Sequence, residues 1–110
     1  MNKYDLYIAH LGFDLPDGTH VEENSPVLIL DPNRGLVLIV KCTHHWVRKC
    51  NYYDYDIQNY TGTGLNKDTV IMFDYPILIE RSNLLYRIGK LNIYDIKYVD
   101  KVVNDIIESN

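Results

Sequence analysis

The chain has 110 residues, 46% of them apolar and 24% charged. That length and balance suit one globular domain with a core of its own and exclude a disordered chain. The formal charge of −4 excludes the generally basic surface of a duplex-DNA binder, so any contact with nucleic acid must run through a local patch.

No apolar run approaches the roughly 18 residues of a membrane span, so no membrane partner is expected. The opening MNKYDLYIAH is too polar for a signal peptide, which places the chain in the cytoplasm. The two cysteines, Cys42 and Cys50, are then expected as free thiols.

Taken in chain order, Lys3 to His10 alternates, with Tyr4, Leu6 and Ile8 set against Asp5, Tyr7 and Ala9. This predicts a strand with one buried face. Gly12 to Asn24 holds Pro16, the Asp17-Gly18 pair and several charges, and predicts a long loop. Val27 to Leu30 and Leu36 to Val40 flank DPNRG, a turn sequence, and predict a β-hairpin. The run LVLIV is apolar on both faces, so its strand should lie deep in the sheet.

Tyr52 to Ile57 alternates again, with Tyr53, Tyr55 and Ile57 on the core face. Thr61 to Asp68, TGTGLNKD, predicts a Gly-rich turn, since it lacks the spacing of a phosphate-binding P-loop. Thr69 to Phe73 and Ile77 to Glu80 predict two strands separated at Pro76. Asn92 then caps a helix whose apolar stripe is Ile93, Ile96, Val99, Val103 and Ile106, with Asp95 and Asp100 facing away. The predicted class is mainly β, a small partly open barrel with a C-terminal α-helix.

One stretch concentrates chemistry: KCTHHWVRKC, Lys41 to Cys50. Cys42, His44, His45 and Cys50 are ligand types that zinc accepts. Their spacing matches no common zinc pattern, and Cys42 shares a strand face with Leu36, Leu38 and Val40, as a core thiol does. No metal and no cofactor are expected. Attack by Cys42 or Cys50 beside a histidine lacks a third, orienting group.

On the other strand face, Val37 and Ile39 lead to Lys41 and Thr43, with His44, His45, Arg48 and Lys49 following. Cleaving RNA without metal needs a base for the ribose 2′-OH, a cation or donor for the phosphorane and an acid for the 5′-oxygen. Histidine moves protons near neutral pH, Arg48 and Lys41 offer positive charge, and the Thr43 hydroxyl can orient a phosphate oxygen. Tyr52 is a candidate stacking surface for a splayed base. The same residues also fit a solvated basic strand end.

SPVLILDPNRGLVLIVKCTHH, Ser25 to His45, together with LLYRIGKLNIYDIKYVDKVV, Leu84 to Val103, resembles the MazF/PemK-like toxin family. Asp56 to Val70 is similar to a glycine-bearing connection in its divergent members. The resemblance covers more than half of residues 1–110, which it makes a single domain. It implies an SH3-like barrel, a homodimer and a metal-independent endoribonuclease acting on single-stranded RNA. It also implies a cognate antitoxin protein that fills the RNA groove.

Thr43 falls at the family's catalytic threonine. The catalytic arginine, which stands before the first core proline, is replaced by Ser25 before Pro26. The acidic residue of the preceding segment corresponds to Glu22 or Glu23, with His20 near its place. Thr43, His44, His45, Arg48, Lys41 and His20 are therefore the candidate catalytic residues, and Ser25, Lys49 and Tyr52 the candidate RNA contacts. The alternative is a barrel that binds protein or RNA without cutting.

Overall fold

The computed structural model describes residues 1–32, 35–44, 53–66 and 68–108. The elements are β1 (Asp5–Asp14), β2 (His20–Asp31), β3 (Leu36–His44), β4 (Asp54–Asp56), β5 (Thr69–Glu80), a 3₁₀ turn (Arg81–Asn83), β6 (Leu84–Lys90) and α1 (Ile93–Glu108). Among the described residues the strands form one antiparallel sheet in the order β4-β5-β3-β2-β1-β6. The sheet curls into a half-barrel, the mainly-β, partly open barrel with a C-terminal helix that the patterning predicts. No described helix is long and apolar enough to cross a membrane.

Two apolar clusters hold the sheet. Leu6, Leu28, Val40, Cys42, Ile71 and Phe73 form the first, which α1 joins through Val99. Ala9, Leu11, Val27, Ile29, Val37, Ile39 and Ile79 form the second. Successive strand residues point to opposite faces, so LVLIV feeds both clusters, and β3 lies between β5 and β2 as its composition demands. β1 buries two faces rather than the expected one: Leu6 enters the first cluster, Ala9 and Leu11 the second.

The long loop expected over Gly12 to Asn24 is mostly strand. β1 and β2 pair from Leu6↔Leu28 out to Asp14↔His20, leaving only a tight turn. In that turn Gly18 N donates to Leu15 O at 2.9 Å and Thr19 N to the Asp17 carboxylate at 2.8 Å. Exposed polar side chains on this arm conceal the alternation, while cross-strand partners such as His20 Nδ1 and Asp14 Oδ1, 2.8 Å apart, support it.

The break expected at Pro76 is a jump in register inside one strand. Ile39 faces Ile77, but Lys41 faces Met72. Pro76 falls in the unpaired residues between, where its missing N–H costs no ladder bond.

The chain between β4 and α1 closes the half-barrel. β4 and β6 are the sheet's two edges, and the segment after β4 reaches across to β6. Lys90 N donates to Gly62 O at 2.9 Å. Gly64 lies so near β6 that a Cβ there would sit 2.2 Å from Ile88 O, and one on Gly89 would sit 2.4 Å from Gly62 O. TGTG is thus a backbone-to-backbone contact, beyond the simple turn expected of it.

Asn92 caps α1 as predicted, its Oδ1 accepting from Tyr94 N at 2.9 Å. Asp95 corrects the expected helix pattern. It does not face water but is fully buried, because its carboxylate accepts from Tyr55 Oη at 2.6 Å and from Gln58 N and Asn59 N at 3.0 Å. Asp100 is exposed and accepts a hydrogen bond from Tyr4 Oη.

Candidate functional site

The sheet forks at Pro26. The ladder between β2 and β3 ends at Val27↔Lys41. Beyond it β2 stays paired with β1 as far as His20, and β3 stays paired with β5 as far as His44. Proline has no N–H to offer a neighbouring strand, so the residue just past the last pair is where a ladder gives way. A cleft of about 470 Å³ lies at the fork, and its lining includes Glu23, Ser25, Lys41 and Thr43, with Cys42 and Thr69 beside them.

Period-two alternation explains why these four polar residues meet. On β2, Val27 belongs to the second cluster, so Ser25 and Glu23 continue its face. On β3, Ile39 belongs to the same cluster, so Lys41 and Thr43 continue from it. The apolar layer therefore ends in a polar one. Lys41 Nζ pairs with Glu23 Oε1, to which the Ser25 hydroxyl donates at 3.0 Å. Lys41 Nζ also stands 5.4 Å from the centre of the Phe13 ring, within cation–π reach.

The hydrogen bond from Lys41 holds the Glu23 carboxyl below its ordinary value, with a smaller contribution from Ser25 against the opposing effect of burial. Glu23 is thus a carboxylate at neutral pH and a weak base, suited to orienting Lys41 more than to abstracting protons. Both side chains are about one-third exposed, and a pair of this kind adds about 0.2–1 kcal/mol. A lowered carboxyl pKa stabilises the fold above the ordinary glutamate range, and this contribution disappears as the pH falls through the lowered value. The melting difference between the native chain and Glu23→Gln should hold steady from about pH 7 to 5 and shrink as the pH falls through the lowered glutamate value. A difference that persists in acid would show that the pair is not its source.

The candidate residues separate as follows. Thr43, Lys41 and Ser25 come together at the cleft. Ser25 is 5% exposed, and its hydroxyl serves Glu23. His44 ends β3. His20 does not line the cleft; it sits toward the tip of the β1–β2 arm with Asp14. Of the two acidic candidates, Glu23 is the one in the cleft. Glu22 lies on the opposite face of β2, 3.2 Å from His10 Nε2. His10 has its pKa raised by its bond with Asn24 and then by that with Glu22. His45, Arg48, Lys49, Cys50 and Tyr52 lie outside the described residues.

Phe13 was not singled out from sequence. Continuing the alternation of β1 past His10 would have placed it on the face of Ala9 and Leu11.

No family model matches the chain, and no curated protein matches it.

Cys42 is sealed in the first cluster, where burial pushes its thiol up to about 12. A thiol so protonated is neither nucleophile nor ready metal ligand. In the folded protein at pH 8, iodoacetamide should leave Cys42 unmodified in a peptide map, and guanidinium should expose it. Rapid labelling without denaturant would return Cys42 to the list of reactive groups. Among the described residues no three His, Cys, Asp or Glu side chains converge as a metal site. The pattern that includes His45 and Cys50 extends beyond them.

Proposed function

We propose that this chain is the toxin of a type II toxin–antitoxin system, a MazF/PemK-like SH3-type barrel that cleaves single-stranded RNA without metal. The observation that carries the reading is the meeting of Thr43, Lys41 and Glu23 at the mouth of the fork cleft. Thr43 orients a phosphate oxygen, and the Lys41 ammonium, aimed by Glu23, offsets charge developing on the phosphorane. The ribose 2′-OH attacks its own phosphate, the 5′-oxygen leaves, and the products are a cyclic phosphate and a 5′-OH. His44 or His45 moves the protons, and Arg48 supplies the positive charge that Ser25 does not. The expected assembly is a cytoplasmic homodimer held in check by an antitoxin that occupies the same cleft.

The test is incubation of the purified protein with end-labelled single-stranded RNA in EDTA, beside Thr43→Ala and Lys41→Ala. Cleavage by the native chain and its loss in both folded variants is the expected result. Equal cleavage by Thr43→Ala would remove the assignment.

A specific observation favours a second reading, a barrel that binds without cutting. Glu23 neutralises the cleft's lysine, and Ser25 stands where the resemblance asks for a cation. Retarded RNA mobility with no cleavage at any pH, weakened by Lys41→Ala, is the outcome that selects it.

A further inference from the structure

The fork cleft has a second side that the phosphate chemistry leaves unused. Its lining also includes Ile8, Pro26, Tyr86 and Ile88. Tyr86 of β6 pairs with Ile8 of β1, and Ile8 pairs with Pro26 of β2, so the three side chains stand side by side on one face. Ile88, two residues on, shares that face and packs against the first cluster. The cleft thus sets an apolar wall beside the polar group of Glu23, Ser25, Lys41 and Thr43. Tyr86 is the one aromatic residue in that lining, and it is 59% exposed. Among the described residues its hydroxyl makes no hydrogen bond, and no cation or second ring stands against it. Other exposed rings differ. Lys97 Nζ stands 4.9 Å from the Tyr94 ring centre and 5.0 Å from that of Tyr98, and Tyr75 lies outside the cleft.

We propose that Tyr86 stacks an unpaired base of the RNA strand whose phosphate sits at Thr43 and Lys41, an inference that rests on the cleft being an RNA site. A nucleotide joins a flat ring to an anion through a sugar. The cleft offers the matching pair, a free aromatic ring on one side and an ammonium and a hydroxyl on the other. Its volume of about 470 Å³ is in the range of clefts that enclose one small organic ligand. A base inside a duplex has both faces covered by its neighbours, so stacking on Tyr86 selects single strands. Every base has a π-face, so Tyr86 sets affinity and strand state and leaves sequence preference to other groups.

The probe is a short, fluorescein-labelled 2′-O-methyl RNA of randomised sequence, followed by anisotropy. Its blocked 2′ position cannot attack the phosphate, so binding is read apart from cutting. The native chain should bind it, and Tyr86→Ala and Tyr86→Leu should each weaken binding by about tenfold. Tyr86→Trp, which restores a ring, should bind at least as well as the native chain. An RNA duplex should bind weakly and without regard to Tyr86. The melting temperature of each variant checks folding. Equal binding by Tyr86→Ala overturns the proposal, as does native-like binding by Tyr86→Leu, which would make bulk and not the ring the cause. No binding by the native chain overturns it too. Cleavage of ordinary RNA in EDTA, measured alongside, keeps the two readings apart. Binding that needs Tyr86 without any cleavage would sustain the stack and remove the ribonuclease. Cleavage whose KM ignores Tyr86→Ala would sustain the ribonuclease and remove the stack.

Discussion

Gly64→Ala should lower the melting temperature by roughly 10 °C or more. Two costs combine. Gly64 has φ +70, a conformation that costs an L residue about 1–2 kcal/mol. The new Cβ would also sit 2.2 Å from Ile88 O and 3.0 Å from Ile88 C. Those are backbone atoms of a paired strand and cannot swing aside like the end of a side chain. Forcing such a contact costs about 1–3 kcal/mol, and the sum is about 3 kcal/mol.

Gly18→Ala separates the two costs. Its φ is +90, but nothing lies within 4 Å of the added Cβ, so only the smaller conformational penalty of ~1 kcal/mol remains. Gly89→Ala isolates the other cost, since its new Cβ would meet Gly62 O at 2.4 Å while the residue is not in the left-handed region. Thermal melts of all three variants are the check. If Gly64→Ala and Gly18→Ala melted together, the contact between the two sheet edges would not be what holds the barrel closed.

These glycines also show what can and cannot be read from the chain. TGTG announces a turn by its residue types, because glycine takes φ values that other residues avoid. The same letters do not show that the strand holding Ile88 comes within one atom's width. That contact joins residues far apart in sequence, and a glycine records it only as a missing side chain.

The apolar elements were legible because their period is their structure. LVLIV placed β3 at the centre of the sheet, and Ile96, Val99 and Val103 placed α1 on the first cluster. The β1–β2 arm was hidden for the opposite reason. His10, Glu22, Asn24, Asp14 and His20 are polar residues that strand pairing arranges without burying, so no hydrophobic rhythm marks them.

The candidate site was half legible. Thr43 and Lys41 stood out as polar residues ending a buried strand. Glu23 was one of two neighbouring acids, and only the register of β2 against β3 chooses between them.

Asp95→Ala should cost about 3 kcal/mol or more, because it leaves three donors without an acceptor in a buried place. Tyr55 Oη, Gln58 N and Asn59 N all donate to this one carboxylate, and no water reaches it, since Asp95 has 0% exposure. Tyr55→Phe removes one donor together with the need to satisfy it, and should cost only about 1 kcal/mol. In the double variant the two losses should add to less than their sum, because the tyrosine hydroxyl is no longer stranded.

Asp95→Asn keeps the volume but presents an amide N–H toward groups that are themselves donors, so it should recover little. Denaturant unfolding of the native chain and the four variants gives each free energy. A native-like midpoint for Asp95→Ala would mean that the loop finds other acceptors and that the carboxylate is incidental.

The expected loss has a structural reach beyond its three bonds. Asp95 ties the start of α1 to β4 and to the residues just after it, and Gly64 presses the far end of that same segment onto β6. Both fix the strip of chain that spans the two sheet edges. Asp95→Ala combined with Gly64→Ala should therefore cost less than the sum of the single variants, since either one already frees the strip that the other would release.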